Sequence, residues 1–276
     1  MKKDDDLAAL AKAIDAVAPR RMASANDSDL RLAAPHLPYV AENDPAIAVE
    51  HVELRRLDTT MRVYTAGPRA IRANTPGVVV VPHLWGVDAT VRDIVRRFAK
   101  VGFSAAAPDL YARFEAPPGD DSADRALFST FAKRIERRQA DGDIRAAALW
   151  LQARSPQGLI GITGFSVGGH YALLQASDNN DIFTCAAPFY GSVEHITPDQ
   201  IHIPVCGNYG EHDSLIPAEE VRFFRTLLTV PNDIRVYQTA GHDFFDDRRT
   251  AFAPAAASDA WKRTLEFFKS HLIPKR

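Results

Sequence analysis

Three residues, well separated in the chain, form a set able to do nucleophilic chemistry. Ser166 lies between glycines in Gly164-Phe165-Ser166-Val167-Gly168-Gly169, Asp213 ends Gly210-Glu211-His212-Asp213, and His242 ends Ala240-Gly241-His242. A serine hydroxyl is nearly unreactive at neutral pH and needs an imidazole to take its proton. The imidazole in turn needs a carboxylate to hold its tautomer and stabilise the imidazolium. Serine, acid, histidine is the chain order that accompanies a G-x-S-x-G nucleophile elbow, where the serine rides a sharp strand-to-helix turn. Leu159-Ile160-Gly161-Ile162-Thr163 before the motif reads as a buried strand, and the run from His170 to Ala176 after it as a helix. Gly164 and Gly168 leave room for the close backbone approach such a turn demands. The helix start points free N–H groups at the reacting centre.

Other carboxylates compete for the acid role. Glu211 stands two residues before Asp213, and Asp109 follows a strand but precedes Ser166. Asp243 and Asp246 are too near His242 in sequence to orient its ring. The other histidines, among them His36, His51, His202 and His271, lack a glycine context at a strand end. An oxyanion needs two backbone N–H donors. Val167, directly after the nucleophile, is expected to supply one, and Leu84 in Pro82-His83-Leu84-Trp85-Gly86 the other, with Gly86 giving that loop its turn. Trp85, Tyr111, Phe165 and Tyr190 are expected to line a mainly apolar pocket.

These residues need a scaffold that brings distant strand ends together. Val49–Leu54 and Met61–Thr65 read as an antiparallel lead-in pair. Gly77–Val81 is a β-branched run suited to a strand buried on both faces. Further strands are expected at Ser104–Pro108, Ile160–Phe165, Thr184–Tyr190, Val205–Tyr209 and Ile234–Gln238. Helices are expected over Asp88–Lys100, Ala126–Arg137, Ile144–Arg154, Ala218–Leu228 and Ala255–His271. This alternation implies an α/β fold, a mostly parallel sheet with helices on both faces and the site beyond the carboxyl ends of the strands. The expected division is an N-terminal extension over 1–45, with a short helix through Leu7, Leu10, Ile14 and Val17 ending near Pro19, and one large domain over 46–276.

A net charge of −2 gives no electrostatic case for nucleic acid or anionic membrane as a partner. Cys185 and Cys206 lie in apolar runs and are expected to be reduced core residues. No run is long enough to span a membrane, and the N-terminus lacks the apolar core of a signal peptide, so the cytoplasm is the expected compartment.

Six motifs in order, Pro82-His83-Leu84-Trp85-Gly86-Val87, Ala107-Pro108-Asp109-Leu110-Tyr111-Ala112-Arg113, the Ser166 elbow, Phe189-Tyr190-Gly191, Gly210-Glu211-His212-Asp213 and Ala240-Gly241-His242-Asp243-Phe244, resemble the dienelactone hydrolase family of α/β-hydrolases. The resemblance runs from about Ala46 to about Leu272. It implies a sheet of about eight strands without a large lid domain, and hydrolysis of a small ester or lactone with no cofactor and no metal. Three departures stand out. Well-known members carry cysteine where this chain has Ser166, glutamate where it has His83, and an arginine four residues after the histidine, where it has Asp246. The resemblance places Arg113 where it can meet a substrate carboxylate, with Arg248 as a weaker substitute for the missing arginine, and leaves His83 as pocket lining. The expected activity is ester or lactone cleavage through an acyl-enzyme by a monomer or small homo-oligomer. Thioester or peptide hydrolysis, cofactor-free haloperoxidation and non-catalytic ligand binding on the same scaffold are the alternatives.

Overall fold

A computed structural model describes residues 37–114, 133–178 and 181–274. The helix expected through Leu7–Val17 lies outside them. The strands are β1 (Ile47–Arg55), β2 (Thr60–Pro68), β3 (Gly77–Val81), β4 (Ser104–Pro108), β5 (Ile160–Phe165), β6 (Cys185–Phe189), β7 (Asn208–Gly210) and β8 (Arg235–Tyr237). They form one sheet in the order β1-β2-β4-β3-β5-β6-β7-β8. The first two pairings in that order are antiparallel and the rest parallel. This is the α/β-hydrolase arrangement the sequence implied, and among the described residues no lid domain covers it.

Among the described residues the α-helices are α1 (Ala89–Lys100), α2 (Arg137–Arg154), α3 (Val167–Asp178), α4 (Ala218–Leu227) and α5 (Pro254–Leu272). They fall into two layers, and β3 shows how the sequence sets them. Its side chains alternate between faces. Val79 and Val81 join a cluster with Ile144 and Leu151 of α2, Tyr171 of α3 and Phe224 of α4. Val78 and Val80 join the opposite cluster with Ile94 and Phe98 of α1 and Trp261 and Phe268 of α5. Every residue of β3 is buried, as a continuous apolar run in a parallel sheet requires.

Two details differ from expectation. The helix read over Ala126–Arg137 falls outside the described residues as far as 132. Residues 133–136 are turn and extended chain, and α2 starts at Arg137 and runs unbroken through Ile144. The seventh strand is shorter than Val205–Tyr209. Val205 makes isolated parallel bridges to Ala186 and Asn232, and the regular ladder starts only at Asn208. Pro204 lacks an N–H to donate at the entrance to this strand.

Residues 37–45, in the segment read as extension, pack on α1. Leu37 and Val40 are buried, Asp93 accepts the Val40 N–H at 2.9 Å, and Arg96 Nε donates to the Val40 carbonyl at 2.6 Å. Cys185 and Cys206 are buried and unbridged, and burial pushes the Cys206 thiol up to about 11. No helix among the described residues is long and apolar enough to cross a membrane.

Candidate active site

β5 runs straight into α3 through Ser166, which takes φ 53°. That left-handed conformation is uncommon for a residue with a Cβ and persists where its surroundings enforce it. The surroundings are tight. A Cβ on Gly164 would lie 2.1 Å from the Gly168 carbonyl oxygen, and one on Gly168 would lie 2.3 Å from that of Val81. The Ser166 N–H donates to the Phe189 carbonyl at 3.0 Å, and its own carbonyl accepts the His170 N–H at 3.1 Å. Of the four non-glycine residues with positive φ among those described, Ser166, Tyr190 and Asp243 all stand at this site.

The loops after β7 and β8 are stitched together before they meet the serine. Glu211 N–H donates to the Tyr237 carbonyl and His212 N–H to the Ala240 carbonyl, each at 2.9 Å. This brings His242 Nε2 to 2.9 Å from Ser166 Oγ and His242 Nδ1 to 2.8 Å from Asp213 Oδ2. The Asp213 carboxylate is wholly buried, and its Oδ1 accepts the N–H groups of Leu215 at 2.8 Å and Ile216 at 3.0 Å. A carboxylate only accepts, so Nδ1 carries the proton and Nε2 is left to accept from Ser166. The Tyr190 ring stands edge-on to His242 with centroids 5.0 Å apart. Glu211 is engaged elsewhere, by Arg222 and by Gln238 at 3.0 Å, and Asp109 accepts from Arg62 and from the Tyr111 N–H.

The loop after β3 closes the other side. Gly86 takes φ 74°, and its N–H donates to the His83 carbonyl at 3.0 Å. Trp85 N–H donates to His83 Nδ1 at 3.1 Å, and the Tyr111 hydroxyl donates to the Leu84 carbonyl at 2.7 Å. Leu84 N–H has no protein acceptor among the described residues, and Val167, first in α3, has an N–H with no intrahelical partner. A hollow of about 20 Å³ remains, lined by His83, Leu84, Trp85, Ser166, Leu215, His242 and Asp243. Among the described residues no three His, Cys, Asp or Glu side chains are grouped to hold a metal ion.

Against this geometry, the dienelactone hydrolase family profile matches residues 61–272. The chain belongs to the dienelactone hydrolase family. Its relatives include the "Putative carboxymethylenebutenolidase" of Escherichia coli (strain K12), 32% identical over 243 residues that cover 83% of this chain and 89% of that one. The "Probable 2-oxo-3-(5-oxofuran-2-ylidene)propanoate lactonase" of Bradyrhizobium sp is 27% identical over 247 residues, covering 83% and 97%. The crystal structure of "Putative Dienelactone Hydrolase from Klebsiella pneumoniae subsp. pneumoniae MGH 78578" superposes with a TM-score of 0.75 at 28% identity, over 81% of this chain and 98% of that one.

Several residues read as substrate-binding take other places in this dienelactone hydrolase family member. The Arg113 guanidinium is gripped by Asp58, at 2.8 and 3.0 Å, and by the buried Asp143. It borders a separate cavity with Thr59, Phe114 and Gln139 that shares no residue with the Ser166 hollow. Phe165 is buried in the core, stacked on Phe245 with centroids 5.4 Å apart. Tyr111 lies behind the Leu84 loop rather than in the hollow, and buried Tyr190 backs His242. Arg248 is exposed and only its N–H reaches Asp246.

Sequence reasoning missed Leu215, Asp243 as a lining residue, and Arg249, which stacks over Trp85 at 4.4 Å. It read His83 as pocket lining, where the hollow has it, but missed the buried carboxylates behind that ring. His83 Nε2 lies 3.4 Å from Asp88 Oδ1, and Asp246 accepts from Thr90 at 3.0 Å. Burial opposes a charge on His83, but the carboxylates of Asp88, Asp246 and Asp243 outweigh it and raise its pKa. Burial raises Asp246; it also opposes ionisation of Asp88, where the opposing pull of His83 and the Val91 N–H wins and lowers the pKa.

Proposed function

We propose that this protein is a serine hydrolase that cleaves carboxylic esters or lactones through an acyl-enzyme. The observation that carries the reading is the unbroken relay from Ser166 Oγ through His242 to buried Asp213, at 2.9 and 2.8 Å. His242 takes the Ser166 proton as the oxygen attacks the carbonyl carbon, and the carbonyl becomes an oxyanion facing the Leu84 and Val167 N–H groups. Collapse expels the alcohol, which takes the proton from His242. Water then attacks the acyl-enzyme, again with His242 as base, and the acid leaves as Ser166 regains its proton. Asp213 stays ionised and holds the Nδ1–H tautomer throughout. The names of the E. coli and Bradyrhizobium relatives support an ester or lactone as the electrophile. The reaction as written uses no cofactor.

A fluorophosphonate probe and a panel of ester, lactone, thioester and anilide substrates test this. Wild type is expected to be labelled at Ser166 and to turn over esters or lactones fastest. Ser166→Ala is expected to lose labelling and at least about 10⁴-fold in kcat while keeping its thermal transition. Near-wild-type turnover by Ser166→Ala refutes the assignment.

A further inference from the structure

A hollow of about 20 Å³ over Ser166 holds little more than a reacting carbonyl, so the body of an ester has to lie elsewhere. Trp85, one wall of that hollow, is also a wall of a groove of about 470 Å³. The groove lies at the same carboxyl edge of the sheet. Val52 pairs with Val63 across β1 and β2, and Val63 pairs with Pro108 at the end of β4. Val52, Val63, Tyr64, Val87 and Tyr111 line it together with Trp85.

Its chemistry is that of hydrocarbon with balanced charge at the rim. Both tyrosine hydroxyls are engaged internally: Arg96 donates to Tyr64 Oη at 2.8 Å, and Tyr111 Oη donates to the Leu84 carbonyl at 2.7 Å. Both rings are largely buried, so partly exposed Trp85, Val52 and Val87 supply most of the apolar surface open to a ligand. Arg62 is paired with Asp109 at 3.2 Å, and Asp88 faces His83. That leaves Glu53 and Arg92, of opposite sign, and His51, whose Nε2 lies 3.5 Å from Glu42, on the lining. An anionic or cationic group gains nothing net from such a rim.

We propose that this groove is a substrate subsite that takes an uncharged, elongated, largely apolar group of the ester, with Trp85 dividing it from the reacting carbonyl. The proposal rests on the serine-hydrolase reading above. Tyr111 couples the two compartments, since it lines the groove and holds the Leu84 carbonyl of the loop that faces the oxyanion.

Two substrate series test it, p-nitrophenyl alkanoates lengthening the acyl side and alkyl acetates lengthening the alcohol side. Wild-type kcat/KM is expected to rise about fourfold per methylene in the series that enters the groove, the value for burying a methylene. Val52→Trp and Val87→Phe, which fill the groove away from Ser166, are expected to cut the long-to-short ratio by about tenfold or more. No chain-length gain in either series, or an unchanged ratio in both filled variants, overturns the proposal. Loss of all hydrolysis in wild type would instead refute the serine-hydrolase reading, so binding is read separately. Octanoyl anilide is titrated calorimetrically into Ser166→Ala, alone and combined with Val52→Trp or Val87→Phe. Binding about tenfold weaker in the filled proteins supports the subsite, and an equal Kd overturns it whatever the turnover result.

Discussion

Replacing Asp213 by asparagine removes one charge and changes almost no volume, and the structure dictates what the amide must do. Oδ1 of Asp213 receives two N–H groups, from Leu215 at 2.8 Å and Ile216 at 3.0 Å. An asparagine has to keep its carbonyl oxygen there, because the flipped amide would set its NH2 against two donors and forfeit both bonds at about 1–3 kcal/mol each. The NH2 then faces His242 Nδ1, which becomes an acceptor. The ring proton moves to Nε2 and points at Ser166 Oγ, so the base is blocked although every atom is in place. A wrong tautomer in a serine triad costs about 10⁴-fold in kcat, or about 5.5 kcal/mol. Glu211→Gln is the matched control. Its carboxylate is partly exposed and binds Arg222 and Gln238, a surface pairing worth about 0–1 kcal/mol, while the carboxylate on His242 Nδ1 is that of Asp213. Steady-state hydrolysis of a short activated ester by the two purified variants decides the matter. Asp213→Asn turnover within about tenfold of wild type, or a larger loss for Glu211→Gln, refutes the tautomer argument.

Tyr111→Phe deletes the bond to the Leu84 carbonyl and is expected to lower kcat about three- to tenfold with little change in KM, since one neutral hydrogen bond contributes about 0.5–1.5 kcal/mol. His83 has a raised pKa, so it binds more protons folded than unfolded and its stabilisation is lost as pH rises from about 6.5 through the folded value. His83→Asn keeps an acceptor for the Trp85 N–H, as in an Asx turn, and is expected to flatten the fall in unfolding free energy as pH rises above about 6.5, read by urea denaturation. Arg113→Ala is expected to cost about 1–3 kcal/mol of stability, because Asp143 keeps Arg56 at 2.8 Å, and to leave the ratio of kcat/KM for carboxylate-bearing over neutral esters unchanged. Asp243→Asn is expected to raise that same ratio several-fold.

The parts of this site legible in the sequence are those governed by local chain geometry. A buried strand, a serine between glycines and a helix sit within twenty residues, and close packing of Gly164 against Gly168 ties them together. Asp213 and His242 each follow a strand end, and a mostly parallel sheet puts such ends along one edge. What could not be read depends on contacts between distant segments. Arg113 sits in a motif that suggests substrate binding, yet Asp58 and Asp143, 55 and 30 residues away, occupy its fork. Phe165 neighbours Ser166 in the chain, but strand alternation turns its ring to the α1 and α5 side, against Phe245. Tyr111 was legible as an aromatic near the site, but only the fold shows that its hydroxyl reaches the back of the Leu84 loop.

The same long-range pairings set the charge that a substrate meets. With Arg113 held by two aspartates, no arginine or lysine among the described residues lines the Ser166 hollow, whose lining carries Asp243, His83 and His242. His83 faces Asp88, so any charge it carries is matched there. Arg249 is near, over the Trp85 ring, but its Nε lies 3.4 Å from Asp246, so that charge is matched too. Asp243 puts a carboxylate on the lining itself, its Oδ1 3.8 Å from His242 Nε2. A substrate carboxylate about 6 Å from it would be repelled by about 3 kcal/mol at an effective dielectric near 20, reduced to about 1–2 kcal/mol by solvent at the open mouth. Neutral esters are therefore expected to outperform matched carboxylate-bearing ones, and the gain in Asp243→Asn measures the carboxylate responsible. A wild-type preference for the anionic ester would show that a cation reaches the hollow after all, and Arg249, released from Asp246, would be the residue to test.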